Sequence, residues 1–171
     1  MPDWFFHPRL RKFEPSKVIN TSAVDVHVHS FQQFQEALSD HEPYAIEVYF
    51  TPITNDLCLK VGKLPRFELN KSKLRSVFSQ KASVAWVKAK KKLIVEADRN
   101  EWVAKKSLFH AIRLLDFGIQ IGNTGKIENF GSMNYVLDKL EELPADWEVL
   151  SAEFKSLYNS KSTEFKIVCP K

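Results

Sequence analysis

The sequence predicts an α+β fold, with a small sheet in the N-terminal part and a helical C-terminal half. Two observations carry that reading. The segment Val24-Asp-Val-His-Val-His alternates strictly between apolar and polar residues, the period of a half-buried strand. From Asn70 onward, apolar residues recur every three or four positions through four successive stretches, the period of amphipathic helices. The boundaries that follow are an irregular arm over 1–22, an α/β part over 23–69 and a helical part over 70–171. We expect them to form one compact domain.

Residues 1–22 show no period, and Pro2, Pro8 and Pro15 interrupt them. The strand over 24–29 puts Val24, Val26 and Val28 on one face and Asp25, His27 and His29 on the other. Ser30 is placed to cap a short helix with Phe31, Phe34 and Leu38 on its apolar side. Pro43 interrupts, and Ala45–Phe50 fits a helix or a strand equally until Thr51-Pro52 ends it. Leu57–Val61 reads as a short strand. Asn70 caps a long helix reaching about Ala97, whose stripe is Leu74, Phe78, Ala82, Ala85, Ala89 and Leu93, with Lys81, Lys88 and Lys92 on another face. A second helix runs from about Glu101 to Ile121, and the glycines from Gly122 to Gly125 end it. Met133–Leu143 is a third helix before Pro144, and Trp147–Tyr158 a fourth.

Length and composition bound the function. A chain of 171 residues, 44% apolar and with 13 Phe and 4 Trp, has the material for a real core. At that size a chain buries on the order of 70% of its unfolded surface, which excludes wholesale disorder. Its apolar runs are only a few residues long, so no membrane partner is expected. The opening Met1-Pro-Asp-Trp-Phe-Phe-His-Pro lacks the basic flank and apolar core of a signal peptide. Cys58 and Cys169 form no Cys-x-x-Cys pair, which suits a reducing compartment, and the expectation is a cytoplasmic protein. The net charge of +4 hides two opposed segments. Lys60–Val95 carries 11 Lys or Arg against the one acid Glu68, and Glu128–Phe154 carries 7 acids against the one base Lys139. A basic face of that kind suits anionic partners such as nucleic acid or nucleotide phosphates, or is a solvated surface.

Two constellations could carry chemistry. Asp25, His27 and His29 share a strand face, about 7 Å between successive members, which suits a metal or phosphate site or an exposed polar edge. On the helix over 101–121, Leu108, Ile112, Leu115 and Ile119 form the core stripe. Its other side carries Trp102, Lys106, His110, Arg113 and Phe117, spaced 4, 4, 3 and 4. Arg forks onto phosphate, His adds a donor and aromatic rings stack bases, so this face reads as a phosphate-and-base surface or as a basic outer face. A Walker-type phosphate loop and a Gly-x-Gly-x-x-Gly turn are both absent.

Several blocks together resemble a known family. Val24-Asp-Val-His-Val-His-Ser-Phe-Gln-Gln-Phe, followed by Tyr44-Ala-Ile-Glu-Val-Tyr-Phe-Thr-Pro, resembles the nucleotidyltransferases of the DNA polymerase β superfamily, in the branch associated with RNA-repair pathways. His110-Ala-Ile-Arg-Leu-Leu-Asp-Phe-Gly-Ile-Gln-Ile-Gly-Asn-Thr-Gly-Lys-Ile resembles that branch's His-x-x-Arg-Leu-Leu and Thr-Gly-Lys-Ile helix. Ser79 and Lys81 sit where the branch has a Phe-x-Ser-x-Lys-like element. The resemblance spans roughly residues 23–127.

The fold it implies is a small mixed sheet of nucleotidyltransferase type. The function it implies is metal-dependent transfer of a nucleotide from a nucleoside triphosphate to an acceptor such as an RNA end, with Mg²⁺ or Mn²⁺ as cofactor. Asp25 falls where the third metal-binding carboxylate would be. Lys106, His110 and Arg113 would face the nucleotide phosphates, and Glu47, His27 and Lys81 are further candidates. The family's Gly-Ser turn and Asp-x-Asp strand have no counterpart before Asp25. Gly131-Ser132 is no substitute, because no Asp-x-Asp follows it. Two outcomes are consistent with this: a partner chain or upstream segment completes the active site, or the chain is a non-catalytic relative that binds nucleotide or RNA or joins a larger assembly.

Overall fold

The computed structural model describes residues 17–20, 25–52 and 65–170. The chain divides into two compact units, Met1–Glu68 and Leu69–Lys171.

In the first unit, β1 (Lys17–Asn20) pairs with β2 (Asp25–Val28) in an antiparallel ribbon, with Lys17 opposite Val28 and Asn20 opposite Asp25. Two helices follow, α1 (Phe31–Ser39) and α2 (Pro43–Phe50). The expected mixed sheet is therefore corrected: among the described residues the sheet is this two-stranded ribbon. One candidate strand, Ala45–Phe50, is helical because Pro43 at the first helical position presets its φ and gives up an N–H that has no partner there anyway. The other, Leu57–Val61, lies outside the described residues. Strand β1 falls inside the segment expected to be irregular. Four residues are too few to show a period, and pairing with β2 is what defines them.

Local chemistry sets the helix starts and stops. Ser30 Oγ accepts from the Gln33 N–H at 3.1 Å, while Gln33 Oε1 accepts from the Ser30 N–H at 2.9 Å, so two otherwise orphaned donors are satisfied. Phe34, Ala37 and Leu38 are buried, whereas Phe31, expected beside them, is exposed. Between α1 and α2, His41 takes a left-handed conformation (φ 59°) and is only 2% exposed. Its Nδ1 lies 3.1 Å from the Ser39 carbonyl and its ring packs against Phe67.

The second unit is a helical bundle of α3 (Lys71–Ile94), α4 (Glu101–Thr124), α5 (Asn134–Glu142) and α6 (Trp147–Val168). A short connection with a 3-10 turn over Glu96–Asp98 folds α4 back on α3, held by Asn100 N–H donating to the Lys92 carbonyl and by ion pairs from Lys91 and Lys92 to Asp98. Asn70, Asn100 and Asp146 cap α3, α4 and α6 by accepting from N–H groups three residues on. The α3 stripe from Leu74 to Leu93 is buried throughout, as its spacing predicts. Three of its six members are alanine, which lets the backbones of α3 and α4 approach.

Helix α4 is buried far beyond its expected stripe. Besides Leu108, Ile112, Leu115 and Ile119, the packing covers Ala104, Ala111, Leu114, Phe117 and Ile121. Gly125, at φ 79°, ends the helix in the left-handed conformation, its N–H donating to Ile121, while Gly122 lies inside it. Helix α6 also runs ten residues past the expected Tyr158. Its final turns seat Phe165 over Gly118 and Cys169 over Gly122. A Cβ at Gly118 would stand 2.5 Å from Phe165 Cζ, and one at Gly122 would stand 2.5 Å from Cys169 Sγ. Carbonyls at the α6 C-terminus accept from Lys71 and Arg75 at the start of α3, where cations complement the negative end of the helix.

Replacing Gly118 by Ala should therefore cost about 1–3 kcal/mol, since the Phe165 ring must shift within a packed core. Chemical denaturation should show a lower midpoint at unchanged slope. In the Gly118→Ala/Phe165→Leu double variant the penalty should fall below the sum of the two single costs; strict additivity would refute the contact as the cause.

Candidate functional site

Helix α4 leaves a strip of Trp102, Lys106, His110 and Arg113 at the surface. Three of these are the residues expected to bind phosphate, and the structure brings them together. They line one side of an open cleft of about 420 Å³. The other side comes from α5, with Leu137, Leu140 and Glu141, and Phe109 adds an aromatic surface. Lys105 turns to donate to the Leu143 carbonyl at 2.7 Å, tying α4 to the C-terminal end of α5.

Each cationic side chain lies against an aromatic ring. Lys106 Nζ stands 4.7 Å from the centre of the Trp102 ring, and the Arg113 guanidinium carbon lies 5.7 Å from Phe109 and 5.1 Å from Phe117. Cation–π attraction of this kind pre-orients a long side chain and lowers the entropy lost when it meets a ligand. Phe117, placed by spacing on the same outer strip, is fully buried and packs edge-on against Phe130, so it supports Arg113 from beneath.

His110 is half-buried among these groups. Burial pulls its pKa down, and the charges of Arg113, Lys106 and Lys88 pull it further, to about 4. At pH 7 the ring is neutral. It then offers one N–H donor and one acceptor nitrogen in a field set by three cations. Lys88 reaches this field from α3, a contribution that the spacing along α4 could not show.

The remaining candidates are placed as follows. Lys81 is exposed on α3 in the second unit. Asp25, His27 and Glu47 belong to the first unit: Asp25 opens β2, His27 is exposed on it with its ring 6.5 Å from that of His29, and Glu47 lies on α2, where its carbonyl accepts from Thr51 Oγ1. The His29 ring in turn stacks on Tyr44 at 5.1 Å. Among the described residues no three His, Cys, Asp or Glu side chains converge as a metal ion would require. No described helix is long and apolar enough to cross a membrane.

A second polar cluster escaped the sequence reading. Asp116, only 5% exposed, accepts from Lys161 Nζ at 2.8 Å, Ser132 Oγ at 2.6 Å and Gln120 Nε2 at 2.7 Å. Gln120 Oε1 accepts from the Glu128 and Asn129 N–H groups. The cluster fastens the 128–132 loop and α6 to α4, with each partner satisfied by another. The signal available in the sequence was an acid set inside an otherwise apolar helical run, Leu114-Leu-Asp-Phe-Gly-Ile.

Two measurements follow. Burial raises the Asp116 pKa, but hydrogen bonds from Lys161, Ser132 and Gln120 outweigh it and hold the carboxyl below its ordinary 3.8. A carboxyl lowered on folding stabilises the protein above its unfolded value and loses that contribution as pH falls through the folded one. Asp116→Asn should cost about 1–3 kcal/mol at pH 7, because it takes the carboxylate from three donors and leaves Lys161 only its pair with Glu164; denaturation at falling pH should show the gap to wild type closing in the acid range. For His110, an NMR titration should place the midpoint at about 4. Lys106→Met should raise it, and a midpoint that stays fixed would deny that Lys106 acts on the ring.

In the comparisons with known proteins, no family model, curated protein or solved structure matches this chain.

Proposed function

We propose that this protein is a non-catalytic binding module that grips the phosphates of nucleic acid along the surface strip of α4. One observation carries the reading: Lys106, His110 and Arg113 line one cleft, where burial first and then the charges of Arg113, Lys106 and Lys88 lower the His110 pKa to about 4. Such a site attracts phosphate before contact and holds it afterwards. Arg113 offers a planar fork for two phosphate oxygens, and Lys106 supplies a mobile point charge. The wider surface favours the same partner, since α3 carries eight Lys or Arg and no acid over 71–94. The reading draws on the second unit alone and requires neither a metal ion nor Asp25.

The test is fluorescence anisotropy of a labelled RNA oligonucleotide at increasing salt. The logarithm of affinity should fall linearly with the logarithm of salt concentration. Lys88→Glu and Lys106→Glu should each weaken binding about tenfold at low salt and flatten the slope by about 0.7, the value for one lost phosphate contact on a single strand. Lys155→Glu, on the exposed face of α6, serves as the charge-matched control and should leave the slope unchanged. Equal effects of all three would reject the strip as the binding site.

A further inference from the structure

We propose that the cleft between α4 and α5 takes an unpaired base of single-stranded RNA, with the base against Trp102 and the apolar wall and the adjoining phosphate against Lys106 and Arg113. This rests on the reading of the α4 strip as a phosphate-binding edge and adds where the base goes and which nucleic acid fits.

The argument starts from the two unlike sides of the cleft. A surface that recognised phosphate alone would need only cations. Here the cations share the cleft lining with Leu137, Leu140 and Phe109. Apolar surface beside a cationic strip suits a ligand that is itself half charged and half apolar, and a nucleotide with its base turned out is such a ligand. The volume, about 420 Å³, lies within the range of roughly 300–1,000 Å³ that holds small organic groups.

Trp102 supports the same assignment. It is 68% exposed, the opposite of what burial of so large an apolar ring would favour. It lines the cleft, with Lys106 Nζ over its ring 4.7 Å from the centre. An indole held at a cationic edge is a stacking platform for a base.

A duplex cannot use this arrangement. Its base faces are stacked on one another, and in A-form RNA the major-groove edges lie too deep for side chains to read, so it would meet the cations and leave the apolar wall wet. The single acid of the cleft, Glu141, narrows the choice further. A carboxylate repels phosphate but accepts a hydrogen bond, and the ribose 2′-hydroxyl is a donor that DNA lacks.

The experiment uses the full chain and a labelled single-stranded RNA. The competitors are the same RNA as a duplex, the same sequence as single-stranded DNA, and inorganic polyphosphate matched in charge. Single-stranded RNA should compete about tenfold better than each of the others. Trp102→Ala should weaken binding about tenfold at an unchanged salt slope, while Trp102→Phe retains most of the affinity. Circular dichroism of both variants checks that the exposed substitution leaves the fold intact. Duplex or polyphosphate competing as well as the single strand would overturn the proposal, as would wild-type affinity in Trp102→Ala. Equal competition by single-stranded DNA would overturn its assignment to RNA. Should Trp102→Ala be silent while Lys88→Glu and Lys106→Glu still weaken binding, the base pocket fails and the phosphate edge stands. Should all three be silent, both fail.

Discussion

The second unit depends on burying one helix, α4, against three neighbours. Each contact uses a different solution to the same constraint, that helix axes approach only as closely as their interface side chains allow. Toward α3 the solution is alanine: Ala82, Ala85 and Ala89 lie along the buried stripe. Toward α6 it is glycine, with Phe165 seated over Gly118 and Cys169 over Gly122. Toward α5 and the loop before it the contact is mixed, with Val136 and Leu140 packed in the core and Asp116 and Gln120 fastening the 128–132 loop.

The candidate site is what this packing leaves over. A helix buried on three sides keeps a narrow strip at the surface, and on α4 that strip holds Trp102, Lys106, His110 and Arg113. Their chemistry follows from the position. They lie close enough to the core for Phe117 to brace Arg113 from beneath and for burial to suppress protonation of His110. They remain open enough for Lys106 and Trp102 to meet solvent. A fully exposed histidine beside the same cations would feel a field damped by water.

The two polar arrangements on α4 answer opposite demands. Around Asp116 each carboxylate oxygen has a donor, so the cluster is closed and holds structure together. Along the surface strip the cations of Lys106 and Arg113 lie against aromatic faces. Closed polar networks rigidify a fold, whereas donors presented toward a cleft can meet a ligand.

The sequence by itself determined whatever repeats within one element. The α3 stripe, the caps at Ser30 and Asn70, and the alignment of Lys106, His110 and Arg113 all follow from a period of 3.6 or from the chemistry of adjacent residues, which the chain carries locally. Tertiary structure decided whatever depends on a partner. The β1 strand exists by pairing with β2, and among the described residues the mixed sheet expected around them is a two-stranded ribbon with a helix at 43–50. The last ten residues of α6 are held where α4 presents glycine, a fit that neither segment shows alone. The far wall of the cleft and the contribution of Lys88 come from α5 and α3, brought to α4 by packing. Spacing along a chain reports which side chains share a face, but only burial against another element decides which face remains open to a ligand.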